Sequence, residues 1–512
     1  MDTIQANNKR IAKNTLLLYI RMIFTMLVSL YTSRVVLNTL GVDDFGIYNV
    51  VGGFVIMFTF INNAMSSSTQ RYLNFELGSG NFSKLQNIFS TSVNIHIIIS
   101  AIIIILAETI GLWFLYNHMT IPQERFEAAL WVYQFAIMST VVMVISVPYN
   151  AAIIAHEKMS TFAYISVIEV ILKLLIVYLL SIFNFDKLKF YAVLMFCIQL
   201  IIRFIYGRYC NKHFEETRYK RIWDVKLLKE MSSFAGWSLF GNLSSVLSTQ
   251  GVNVLLNMFF GPIVNAARGI AVQIQQAING FVLNFQTAIN PQITKNYALG
   301  NIKYLHNLIF TSAKFSILLL LILSLPIFIE TEQILQLWLK TVPTHTANFT
   351  RIILCIAIID CTANALSIGA QATGKIKRYQ ITIGFIILLI VPVSYLTLKI
   401  KAVPEFVLYV HLGIAVIAQT GRIIFMKKLI QLPIKSFISK VYLPFLKVLT
   451  TSAIIPGIIY HIIPPSLNRL IIISLISVTA TGISIYLLGL NNNEKKFLKT
   501  SISNILLKLK KK

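Results

Sequence analysis

Apolar runs of about twenty to thirty residues follow one another along almost the whole chain, separated by short polar stretches. An α-helix crosses the roughly 30 Å hydrocarbon core of a bilayer in about 20 residues, so runs of this length predict membrane spans. The pattern gives fourteen of them: 14–37, 46–70, 87–116, 127–155, 159–183, 190–206, 232–259, 264–292, 304–329, 346–372, 379–398, 404–426, 441–462 and 468–489. No connection is long enough for a soluble domain. The expected fold class is therefore an all-α integral membrane protein of about 14 transmembrane helices.

The positions of lysine and arginine orient the spans. Segments 1–13, 71–86, 156–158, 207–229, 295–303, 373–378, 427–440 and 490–512 hold 29 of the chain's 45 Lys and Arg. The seven segments between them, with the adjoining outer span ends, hold nine. Basic loops stay on the cytoplasmic side, so this alternation puts both termini in the cytoplasm and Asp43 and Asp44 outside.

An internal repeat divides the chain further. QRYLNFELGSGNFSKLQNIF follows the second span and QITKNYALGNIKYLHNLIF the eighth. Gln70, Asn74, Leu77 and Gly78 align with Gln292, Asn296, Leu299 and Gly300. After a two-residue gap Asn81, Leu85 and Asn87 align with Asn301, Leu305 and Asn307. An interval of six spans keeps both copies in one orientation, which implies two pseudo-symmetric six-helix lobes. The division expected is an N-terminal lobe over 1–206, a cytoplasmic linker over 207–231 and a C-terminal lobe over 232–430. Two additional helices and a basic tail fill 431–512.

Composition agrees: 56% of the 512 residues are hydrophobic and 12% charged, against about 25% charged in soluble proteins. The net charge of +26 is spread over many short loops. A nucleic-acid binder would gather it on one folded face, so no nucleic-acid partner is expected. The first run follows Lys9, Arg10 and Lys13, but Arg21 interrupts it and no small-residue cleavage site follows, so it reads as a span rather than a signal peptide. Cys197, Cys210, Cys355 and Cys361 lack metal-ligand spacing, and the histidines form no HExxH pair. There is no GxxxxGK[ST] loop. No cofactor, metal or catalytic residue is expected, and the chain reads as a transporter rather than an enzyme.

A charge in the hydrocarbon core is costly and needs a cavity or a partner. The spans contain Arg21, Lys173, Arg203, Lys314, Arg351, Arg422 and Lys447, with Arg34 and Arg268 nearer the outer surface. Against them stand Glu108, Glu169 and Asp360. A cavity with this imbalance attracts an anion such as phosphate or pyrophosphate. Arg21, Lys173, Arg268 and Lys314 are the cavity candidates. Arg203, Arg422 and Lys447 also lie close enough to the inner face to snorkel, and Glu169 and Lys173, spaced i,i+4, also suit mutual neutralisation. Asp360 and Glu169 are candidates for coupling to protons or sodium, or for pairing with a basic neighbour.

The eighth span carries Arg268, Gln275, Asn279, Gln286 and Asn290 at intervals of 7, 4, 7 and 4, a narrow stripe on an α-helix. Gln273, Gln276 and Asn284 lie beside it. Such a stripe faces water, substrate or another polar helix; its amides suit sugar hydroxyls or hydrogen-bonded helix packing. In the second span Asn62, Asn63 and Ser66 to Gln70 form a corresponding polar half.

The segment SRVVLNTLGVDDFGIYNVVGG, with Gly41, Phe45, Gly46 and Tyr48 in an LG-x-x-x-FG-x-Y turn, resembles the bacterial polysaccharide transporter family. These are the O-antigen and capsule repeat-unit flippases of the multidrug/oligosaccharidyl-lipid/polysaccharide exporter superfamily. The resemblance extends through both lobes. It implies alternating-access movement of an undecaprenyl-pyrophosphate-linked oligosaccharide across the bacterial inner membrane, with polysaccharide assembly proteins as further partners. A drug exporter of the same fold and a lipid II flippase are the alternatives. A glycan polymerase or ligase needs a larger outer loop than 330–345.

Overall fold

The computed structural model describes residues 2–41, 44, 47–48, 51, 60–118, 121–182, 186–339, 342–400 and 403–496. Asp43, Phe45 and Gly46, most of 49–59 and the basic tail beyond 496 lie outside these, as do the side chains of Arg34, Asn62, Asn63 and Pro262. Every regular element among the described residues is helical.

Among the described residues, fourteen principal helices follow the fourteen apolar runs. They are α1 (Asp2–Leu40), α2 (Phe60–Ser79), α3 (Phe82–Leu106), α4 (Phe126–Ala155), α5 (Met159–Ile182), α6 (Lys187–His213) and α7 (Val225–Phe260). Then come α8 (Pro262–Ala298), α9 (Ile302–Ile329), α10 (Thr346–Ala372), α11 (Lys377–Leu388, resuming over Ile390–Ile400), α12 (Glu405–Ile430), α13 (Leu443–Ile462) and α14 (Leu467–Ser484). Eleven of the described helical stretches are long and apolar enough to cross a membrane. The helices α7 and α8 fall short through polarity, not length: they run 36 and 37 residues, about 54 Å at 1.5 Å per residue. The described part of α2 begins only at Phe60.

Two local features depart from uniform helix. The helix α3 passes through a π-helical turn, Ala107–Gly111, before continuing over Leu112–His118, and the Tyr133 hydroxyl donates to Ala107 O at 2.7 Å. The helix α11 breaks at Leu389, three residues before Pro392, whose missing N–H and ring disfavour an unbroken helix. At the break Ser248 of α7 donates to Ile387 O at 2.8 Å.

The sequence repeat is a structural repeat, in a slightly different register. After α2 and α8 the chain turns through Gly80 and Gly300, with φ of +73° and +70°. The next amide bonds back five residues in both copies, Asn81 N to Glu76 O and Asn301 N to Asn296 O. Gly80, not Gly78, is therefore the counterpart of Gly300, because the turn needs a left-handed residue and glycine supplies it without a Cβ clash. Gly78 has another role: a Cβ there would lie 2.6 Å from Lys295 O, so α2 and the end of α8 approach backbone to backbone.

The chain divides into two compact units, 1–242 with 287–301, and 243–286 with 302–512. The boundaries of these units lie within α7, within α8 and just after α8. In the first unit α4 packs on α6 and α3, and α5 on α6. In the second α10 packs on α12 and α9, and α11 on α12, the same pairings six helices later. Phe89, Leu85 and Ile153 are buried in the first core, and Leu320, Leu321 and Val448 in the second. At one end of the first unit Arg125 binds Asp44 and Asp186, which pins the turn after α1 beside the start of α6. Partial burial works to raise the Asp186 pKa, but the Arg125 guanidinium and the amides it caps outweigh this and hold it below the usual carboxylate value.

Candidate functional site

The charged residues expected in the membrane have distinct surroundings. In the first unit Arg21 lies half-buried with its guanidinium 4.7 Å from the Phe162 ring centroid. Lys173 donates to Glu169 at 2.6 Å across one helical turn. Tyr206 on α6, which carries no pattern in the sequence, is an electrostatic neighbour of both Arg21 and Glu169.

In the second unit Lys314 is buried and reaches both oxygens of Glu494 at 2.6 Å. Glu494 belongs to the short helical stretch after α14, whose first turn it caps through Asn491. Arg268 on α8 is also buried, yet its partner is neutral: Nη1 donates to Asn253 Oδ1 on α7. His411 of α12 is a further electrostatic neighbour. No ion pair of Arg268 exists among the described residues, and its Nε has no hydrogen-bond partner there. The two lysines are thus matched by carboxylates, while Arg268 keeps its charge.

The polar stripe of α8 is not uniform. Gln286 is buried and saturated, donating to Ser316 Oγ and Cys361 O at 2.8 Å and accepting from Asn364 at 2.6 Å. It ties α8 to α9 and α10. Gln275 and Asn279 are half-buried and make no hydrogen bond among the described residues. Asn290 is half-buried, and its Oδ1 also lacks a partner there. From Arg268 to Asn279, then, the stripe has hydrogen-bonding capacity to spare.

Asp360 on α10 lies near Arg422 on α12. Arg422 is buried, with Nη1 3.5 Å from Gln419 Oε1, and so does not snorkel; Gln419 in turn donates to Thr362 Oγ1 and Tyr442 Oη at 2.8 and 3.0 Å. No group of three or more potential metal ligands occurs among the described residues.

A buried carboxylate that the sequence does not single out links three elements of the first unit. Glu157, in the turn between α4 and α5, is buried and accepts from Gln292 at 2.7 Å, from Lys295 at 2.8 Å and from Arg10 at 2.8 Å. Asn14 donates to its carbonyl at 3.3 Å. One carboxylate therefore joins α1, this turn and the end of α8.

The MatE family model matches residues 18–179 and 238–396, and the chain belongs to that family. The two matched stretches start 220 residues apart, the interval that also separates Gly80 from Gly300. Among solved structures the chain is similar to an outward-facing multidrug resistance MATE family transporter of the MOP superfamily, with a TM-score of 0.71, 14% identity, and 83% of this chain and 96% of the other covered. It is also similar to a MOP superfamily transporter from Pyrococcus furiosus described as having a binding pocket of reversed polarity (TM-score 0.68, 13% identity, 84% and 96% covered). A third is the MATE transporter ClbM in complex with Rb+ (TM-score 0.67, 16% identity, 80% and 94% covered). No curated protein matches. The protein is thus a multi-pass membrane transporter of the MATE fold, and no catalytic family is indicated.

Proposed function

We propose that this transporter moves an anionic lipid-linked oligosaccharide, joined through pyrophosphate, across the bacterial inner membrane by alternating access. Arg268 carries the reading: a buried guanidinium held by a neutral amide has its charge available for a ligand. Desolvated phosphate oxygens gain charge-assisted hydrogen bonds from guanidinium that amides do not match. Within the first unit Arg21 is a further anion-binding candidate, and within the second Gln275 and Asn279 offer amides to sugar hydroxyls. The polysaccharide-transporter turn of the sequence supports the same substrate, with both termini cytoplasmic and assembly proteins as partners.

The competing reading is ion-coupled drug export, favoured by Asp360 beside Arg422 and by the multidrug transporter among the similar structures. A test separates them. In vesicles holding a fluorescent pyrophosphate-linked saccharide, the wild-type chain moves the lipid, Arg268→Gln is slower by about 10- to 100-fold, the worth of a charged hydrogen bond, and Arg268→Lys retains most of the rate. Ethidium transport by a chain that leaves the lipid-linked sugar untouched refutes this function.

A further inference from the structure

The inward-turning end of α6 has a second concentration of positive charge that the proposed transport does not use. One stripe of this helix, spaced i,i+4, changes character within two turns. Leu200 and Phe204 are apolar and 44% and 66% exposed, so this face looks into lipid, and Arg208 and Lys212 continue it as exposed cations. Phe204 and Lys212 are eight residues apart, about 12 Å along the axis. That interval spans the boundary between hydrocarbon and headgroup, a zone of about 5–7 Å on each side of a bilayer. At the boundary lies an open groove of about 590 Å³ lined by Tyr149, Arg203, Phe204, Arg208, Asn211 and Lys212. Its lining holds three cations and no carboxylate, and none of the three cations makes an ion pair among the described residues.

Arg203 is held in place there. Its guanidinium carbon is 3.9 Å from the Tyr149 ring centroid, and its Nη1 occupies space that a side chain at position 207 would need, 2.7 Å from where a Cβ of Gly207 would sit. The glycine lets the guanidinium fold down over the aromatic ring and present its free N–H groups to the groove.

We propose that this groove binds the headgroup of an anionic phospholipid of the surrounding bilayer. The phosphate meets Arg203, Arg208 and Lys212, Asn211 donates to the headgroup, and an acyl chain runs along Phe204 and Leu200. A phospholipid fits because the apolar and cationic halves are continuous on a lipid-facing helix; a free anion would use only the cationic half.

The test is native mass spectrometry of the full chain released from membranes, followed by exchange with phosphatidylglycerol or phosphatidylcholine. The wild type retains phosphatidylglycerol in preference to phosphatidylcholine. The combined Arg203→Gln, Arg208→Gln and Lys212→Gln variant loses retention by about tenfold or more, since each basic group near an anionic lipid surface contributes measurably. Gly207→Ala, which displaces Arg203 but removes no charge, lowers retention several-fold and guards against a general effect of charge. Changing Lys375, Lys377 and Arg378 to Gln, an equal charge loss elsewhere, leaves retention unchanged. Equal loss in that control, equal retention of phosphatidylcholine, or displacement of the lipid by inorganic phosphate as effectively as by added phosphatidylglycerol each overturns the proposal.

Discussion

At the scale of single residues, the price of charge in hydrocarbon made positions legible and partners illegible. Arg21, Lys173, Arg268 and Lys314 stand out in the sequence because each interrupts an apolar run. Only Lys173 could be paired in advance, with Glu169, since i,i+4 is a local spacing. Glu494 lies 180 residues from Lys314, and tertiary pairing has no period to read. Glu157 went unmarked for the same reason: an acid in a three-residue loop announces nothing until α1 and α8 close on it. Gln286 shows the converse, a stripe residue whose amide is saturated by its own unit. The Lys314 pair yields a prediction. Glu494→Gln leaves a buried ammonium without its counter-charge and lowers stability by about 2–3 kcal/mol, below the about 3–5 of a fully buried pair because the Glu494 side chain is 19% exposed. Lys314→Met combined with Glu494→Leu recovers most of that loss, because two apolar groups replace two charges. Thermal unfolding in detergent checks both. Transport by the double variant then tells whether Lys314 also recognises the substrate: a stable but inactive protein assigns it that role.

Elements were legible where hydropathy and length agreed, which holds for eleven of the described spans. The helices α7 and α8 are marked instead by their flanking loops and the six-span repeat, despite their polar faces. What the sequence could not show was the interruption of helices by their neighbours. The Tyr133 hydroxyl meets Ala107 O at the start of the π-helical turn in α3, a contact between helices. The break in α11 was signalled by Pro392, but its accommodation lies on α7. Ser248 takes the Ile387 carbonyl there, and three residues on, Gly251 lets the broken segment approach: a Cβ at 251 would meet Val391 Cγ2 at 2.5 Å and Cγ1 at 3.3 Å. Valine is β-branched and stiff at χ1, so it cannot swing aside. Gly251→Ala is therefore expected to destabilise by about 1–3 kcal/mol as an overpacked contact. Adding Val391→Ala removes the obstructing methyl groups and restores the melting temperature toward wild type. A single Gly251→Ala protein as stable as its parent contradicts this packing.

At the scale of the whole molecule, the repeated turn is the sequence signal that the structure carries through. The structure repeats its helix pairings six elements apart, and the family model matches twice at the interval of that turn. The match of Gly78 with Gly300 gives way to Gly80 with Gly300, because of the two glycines only Gly80 adopts a positive φ. The alternation of basic loops makes the last prediction, which is one of sidedness. Lysine and arginine in short loops resist translocation, so the 207–229 and 373–378 connections face the cytoplasm and 330–345 faces outward. Lys220, Lys375 and Thr344 are exposed positions in these three segments. With the four native cysteines replaced, single cysteines at these sites report their side. A membrane-impermeant maleimide applied to intact cells should label Thr344→Cys and spare Lys220→Cys and Lys375→Cys, and permeabilised cells should show all three labelled. Labelling of Lys220→Cys in intact cells inverts the first unit, and labelling of Lys375→Cys alone breaks the even count of spans between the two connections. Either result would detach the basic alternation from topology and leave the repeat as the sole guide to orientation.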